Sequence, residues 1–149
     1  MSVDVETVIE IARPRAEVAA YACDPDTATS WYRNIKRVGW ETEPPLAVGS
    51  RITFEAEFLR RRLVYTYQVR ELQAGERMVM STSDGPFPME TVYGFRDSGQ
   101  GLTEMRLRNR GEPSGFSRLA VPLMAAAMRR ANRGDLRRLK EILEQSGSS

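Results

Sequence analysis

Hydrophobic and polar positions alternate along most of this chain, and the alternation predicts a sheet. Val3, Val5, Thr7, Ile9 and Ile11 share one face of a strand over residues 3–12. The pattern stops at Arg13-Pro14, since proline has no N–H for a ladder but suits a first helical turn. Residues 16–22 then read as a helix with a small apolar face of Val18, Ala19, Tyr21 and Ala22. Asp24 as N-cap with Pro25 behind it predicts a second short helix through Trp31-Tyr32. A short strand is expected at 38–42 and a loop over 43–49.

Five strands are predicted after that loop, at 51–58, 63–72, 78–83, 89–96 and 103–110, joined by hairpin-length turns such as 97–101. Such a meander has one wet face and one apolar face. The last element is a long helix over about 117–144. At 100° per residue, Val121, Met124, Ala125, Met128, Ala131, Leu136, Leu139, Ile142 and Leu143 fall in one arc, with Arg129, Arg130, Arg133, Arg137, Lys140, Glu141 and Glu144 opposite. Pro122 should kink this helix or mark its start, and residues 145–149 read as a flexible tail.

Composition narrows the chemistry. A chain of 149 residues suits one domain, here 1–144, and is long enough to bury about 70% of its unfolded surface. The net charge of +2 does not argue for nucleic acid, and no apolar run approaches a membrane span. The polar start MSVDVETV is no signal peptide, and Cys23, the single cysteine, allows no internal disulfide; both suit the cytoplasm. Histidine is absent, which removes Ser-His-Asp and Cys-His nucleophile systems and histidine-held zinc or haem. No metal or other cofactor is expected.

The motifs carry a resemblance. I11-A-x-P14-x-x-x-V18-x-x-Y21-x-x-D24-P25-x5-W31 resembles the opening of the START-like (SRPBCC) superfamily, and S83-D-G85-P86-F87 before a strand is a familiar loop there. A131-N-x-x-D135-L136-x-x-L139-K140-x-x-L143-E144 resembles the closing helix of its polyketide cyclase/dehydrase-type branch. The resemblance implies an α+β helix-grip fold: a curved antiparallel sheet of about seven strands around a long C-terminal helix, two short helices after strand 1, and usually a cavity between helix and sheet. The first strand would sit beside the last, and the short helices would close one end of the sheet.

On that fold the inward face carries Phe54, Phe58, Tyr65, Tyr67, Met78, Met80, Met89, Tyr93, Phe95, Met105 and Leu107, with Met124 and Met128 from the helix. Every methionine except Met1 is predicted inward, and methionine suits surfaces that accept varied apolar shapes. Each of these residues could equally be plain core. The expected ligand-binding set is Trp31, Phe54, Tyr65, Tyr67, Met78, Met80, Phe87, Met89, Tyr93, Met105, Leu107, Met124 and Met128. Trp31, Tyr32 and Trp40 could line the cavity, and loops 43–50, 83–88 and 111–116 should ring its mouth. Polar groups on the inner face are few: Tyr65, Tyr67, Tyr93, Thr91, Asn109, Asn132 and Asp135. Glu and Arg of the later strands alternate outward, where exposed cross-strand ion pairs are expected. Asp135 reads first as a buried tether to a backbone N–H, Trp31 or a tyrosine, and only secondarily as catalytic.

Three functions compete. The first is binding of a hydrophobic small molecule: a lipid, isoprenoid or polyketide-like compound. The second is a polyketide aromatase/cyclase or dehydratase, with Tyr65, Tyr67 and Tyr93 as candidate carbonyl-polarising residues. The third is an interaction module, because residues 117–144 carry seven Lys/Arg against three Asp/Glu and present the stripe Arg129, Arg133, Arg137. Homodimerisation is left open by the sequence.

Overall fold

The computed structural model describes residues 2–58, 60–84, 87–113 and 118–146, without the side chains of Phe58 and Ser146. The expected inward side chain of Phe58, rim residues 85–86 and 114–116, the helical start at Ser117 and the tail at 147–149 lie outside the described residues.

The chain runs β1 (Val3–Ile11), α1 (Arg15–Ala22), a 3-10 turn (Pro25–Thr27), α2 (Ala28–Trp31), β2 (Ile35–Trp40), β3 (Arg51–Phe58), β4 (Arg61–Gln73), β5 (Arg77–Thr82), β6 (Met89–Gly99), β7 (Leu102–Gly111) and α3 (Ala120–Ser146). The seven strands form one antiparallel sheet in the order β1-β7-β6-β5-β4-β3-β2. The first strand therefore lies beside the last, and α3 crosses the inner face against β1 and α2. This is the helix-grip architecture.

Local chemistry explains the entry to the sheet. Pro14 caps α1, and its carbonyl accepts from the Glu17 and Val18 N–H groups. Asp24 caps the next segment, its Oδ1 accepting from Asp26 N at 3.0 Å with Pro25 in the first turn. The segment is tighter than expected: a 3-10 turn precedes one turn of α-helix ending at Trp31. Trp31, Val18, Ala19, Ala22 and Ala28 are buried against Leu136, Leu139 and Leu143 of α3, which closes this end of the sheet.

Three β-bulges move element bounds. In β2 the register shifts between Ile35 and Arg37, so the strand starts three residues before the expected Val38 without an alternating signature. In β4 it shifts between Val69 and Glu71, so Leu72 rather than Glu71 follows Val69 toward the core. In β6 it shifts between Asp97 and Gly99, and the strands run further into the hairpin than expected. Pro122 needs no kink, because it lies in the first turn of α3, where helical N–H groups have no intrahelical partner. The helix continues to Ser146, beyond the predicted end at Glu144.

The outer face carries ion pairs across strands. Arg108 Nε and Nη2 donate to Asp4 at 2.9 and 2.6 Å, Arg106 joins Glu6 and Glu104, and Arg110 pairs with Glu90. All are solvent-accessible, so water and salt screen them to a small contribution.

Candidate functional site

Between α3 and the sheet lies a cavity of about 200 Å³. The inward positions of β3 to β7 build most of it: Phe54, Ala56, Leu63, Tyr65, Tyr67, Met80, Thr82, Met89, Thr91, Tyr93 and Asn109. Helix α3 adds Met124, Met128, Ala131, Asn132 and Asp135, the α2–β2 connection adds Tyr32 and Asn34, and β2 adds its first residue, Ile35. Asp84 and Phe87 come from the loop before β6.

Nine of the expected ligand-binding residues line this space: Phe54, Tyr65, Tyr67, Met80, Phe87, Met89, Tyr93, Met124 and Met128. Four do not. Met105 and Leu107 are fully buried on β7, Trp31 is buried in α2, and Met78 lines a separate small cavity beside the 3-10 turn. Along β7, Met105 and Leu107 are core while Asn109, on the same face, reaches the cavity. Trp40 also lies elsewhere: its Nε1 donates to Asp26 Oδ1 at 2.9 Å, tying β2 to the 3-10 turn. Loop 43–50 does not line the cavity; Leu46 faces the small one, and the α2–β2 connection takes the expected place of that loop. Tyr32, Thr91, Asn109, Asn132 and Asp135 were visible as inner-face or candidate lining positions. Asn34 and Asp84 lie in connections with no periodic signal, Ile35 lies at the bulged start of β2, and Ala56, Leu63 and Thr82 share the inward register of their strands but are small or ordinary residues.

The polar groups of the wall mostly satisfy one another. Thr91 Oγ1 donates to Asn109 Oδ1 at 2.7 Å and lies 3.4 Å from the Tyr67 hydroxyl. The Tyr32 and Tyr93 hydroxyls are hydrogen-bonded to each other, and Trp31 stacks on Tyr32 with ring centroids 4.0 Å apart. Asp135 is buried, and its Oδ1 accepts from Arg33 N at 3.0 Å, so it does tether α3 to the α2–β2 connection. At the rim, Asp84 Oδ2 accepts from Thr66 N, and Asp84 N donates to Thr82 Oγ1.

Burial sets the protonation states. It raises the Tyr32, Tyr65, Tyr67 and Tyr93 phenols above their ordinary value, so all four keep their protons at neutral pH. Burial likewise lifts Asp135 to about 6, against the lowering effect of the Arg33 N–H and guanidinium. Cys23 is pushed up to about 12 by burial and is an unreactive thiol at neutral pH. Among the described residues no group of three His, Cys, Asp or Glu side chains converges as a metal site.

Arg130, Arg133, Arg137 and Arg138 of α3 face Arg33 and Lys36 across a broad surface groove behind the cavity wall. Of the expected stripe, Arg133 and Arg137 line this groove and Arg129 does not; such exposed cations are ordinarily solvated. No described helix is long and apolar enough to cross a membrane.

The missing side chain of Gly111 leaves the space that the Phe87 ring fills. A Cβ there would stand 2.7 Å from the Phe87 ring and 3.0 Å from the Pro88 carbonyl. Gly111→Ala is therefore expected to displace Phe87 and cost about 1–3 kcal/mol by overpacking, read as a lowered denaturant midpoint with unchanged m-value.

A curved sheet gripping a helix over a largely apolar cavity defines a START-like protein. The chain matches the family described as "Polyketide cyclase / dehydrase and lipid transport" over residues 2–144, and it belongs to that family. Among solved structures it is similar to the ZhuI aromatase/cyclase of Streptomyces sp. R1128, at 13% identity and TM-score 0.84 over 97% of this chain and 95% of that one. A START superfamily protein from Mycobacterium smegmatis matches at 14% identity and TM-score 0.82, over 95% and 97% of the two chains. A protein from Thermus thermophilus matches at 17% identity and TM-score 0.83, over 97% and 99%. At these identities the likeness is one of fold. No curated protein sequence matches the chain.

Proposed function

We propose that this protein binds a hydrophobic small molecule, of lipid, isoprenoid or polyketide-like character, in the cavity between α3 and the sheet. The observation that carries this reading is the cavity itself: about 200 Å³ walled mainly by aromatic, methionine and aliphatic side chains. Met80, Met89, Met124 and Met128 supply a wall that adapts to different apolar shapes. A cytoplasmic setting is part of the proposal, in keeping with the unpaired Cys23. The test is native mass spectrometry of the purified chain, then denaturation and extraction. A stoichiometric apolar compound is the expected result. A clean apo mass together with failure to bind a panel of fatty acids and apolar dyes would overturn the reading.

A second reading, an aromatase/cyclase or dehydratase working in the same cavity, is favoured by one observation. Asp135 is a carboxyl group in the cavity wall lifted to about 6, where it can give or take a proton near neutral pH. The tyrosines would act as donors that polarise a carbonyl, not as bases, because burial keeps them protonated. Turnover of a poly-β-ketone that is lost in Asp135→Asn, with binding retained, would support it.

A further inference from the structure

Four buried side-chain polar atoms lack a partner among the described residues: Thr7 Oγ1, Arg13 Nε, Trp31 Nε1 and Asn132 Nδ2. Only Asn132 lines the cavity, and the residue is 5% exposed. An unmade buried hydrogen bond is costly, and native structures keep few. No described neighbour serves it. The Tyr32 and Tyr93 hydroxyls use each other, Asp135 Oδ1 is taken by Arg33 N, and Thr91, Asn109 and Tyr67 form their own group.

We propose that Asn132 Nδ2 is the polar anchor of the ligand, donating to an acceptor oxygen such as a ketone, ester or quinone carbonyl on an otherwise apolar molecule. This rests on the cavity being a ligand site. The anchor lies at the α2 end, beside Asp135 and the Tyr32–Tyr93 pair. Met124 lies eight residues earlier on α3, about 12 Å along the axis, so the hydrocarbon body extends toward Met124, Met128 and Met89. The ligand is thereby oriented, oxygen inward at one end, in a cavity whose other polar groups are mostly paired with one another.

The test uses two probes of nearly equal shape, methyl naphthyl ketone and isopropenylnaphthalene, in which a methylene replaces the carbonyl oxygen. Kd values are measured by displacement of an environment-sensitive dye from the full chain. The wild-type protein should prefer the ketone by about tenfold, the worth of one buried hydrogen bond. Asn132→Leu should reduce the preference to about twofold or less while binding the hydrocarbon at least as well; Asn132→Met serves if the leucine variant does not fold. Equal wild-type affinities would overturn the anchor alone and leave the amide to an ordered water. Retention of the preference in the variants would overturn it too, placing the oxygen elsewhere. Binding of neither probe would overturn the cavity reading and the anchor together.

Discussion

Trp31→Ala is expected to cost about 3–5 kcal/mol, lowering Tm by something on the order of 10 °C. Trp31 is 1% exposed and ends α2, a helix too short to stand without tertiary packing. Its ring stacks on Tyr32 and lies 6.0 Å from Tyr93, so it supports two cavity-lining residues from behind. Removing it leaves a void under the hydroxyl pair and loosens the link between α2 and α3. Trp31→Phe keeps most of the apolar contact and discards Nε1, which has no partner among the described residues, so it should cost far less. Thermal unfolding of both variants, with dye binding by the phenylalanine variant, checks the assignment. Normal stability but lost binding in Trp31→Ala would restore Trp31 as a ligand contact, the role first expected from sequence.

That expectation illustrates what is legible in this chain. Strand faces follow from period-two alternation, and the faces of β1, β3, β5 and β7 agree with it: Val3, Val5 and Ile11, then Phe54 and Ala56, then Met78 and Met80, then Met105 and Leu107, all point inward. Alternation says which face, not how deep. Met105 and Leu107 are sealed in the core while Asn109 and Thr91 meet the cavity, and what separates them is where α1, α2 and α3 cross the sheet. Bulges defeat the pattern outright. An extra residue at Arg70 sends Leu72, not Glu71, to the core, and the one in β2 hides the strand's first half. Asp135 was legible as a buried carboxylate from the helical arc, but its partner, the Arg33 N–H, lies 102 residues away and no local signal names it. The cavity's boundary at Tyr32–Ile35 is equally non-local: those residues matter because α3 passes over them.

Asp135→Asn is expected to stabilise the protein at neutral pH and to flatten its pH dependence. Burial raises the folded-state value of this carboxyl from 3.8 to about 6. The folded protein thus holds the proton more tightly than the unfolded chain between those two values, and it loses stability as pH rises through that window. Above the upper value the penalty is constant, of the order of 1–3 kcal/mol once screening by water in the cavity is allowed for. The asparagine Oδ1 can still accept from Arg33 N, so the tether between α3 and the α2–β2 connection survives while the charge is gone. The phenols beside Asp135 do not titrate in this range: burial raises Tyr32 and Tyr93 and keeps both neutral. Asp4, Glu104 and Glu144, whose values are lowered by Arg108, Arg96 and Lys140, pull the other way at acidic pH, but they are common to both proteins and cancel in the difference. The measurement is chemical denaturation of both proteins from about pH 4 to pH 8. The gain from the substitution should grow from near zero at the acid end to its plateau near neutrality. A gain that does not vary with pH would mean that Asp135 titrates as an ordinary solvated carboxylate. It would then serve α3 as a tether, and the proton-transfer reading of the cavity would lose its one candidate acid.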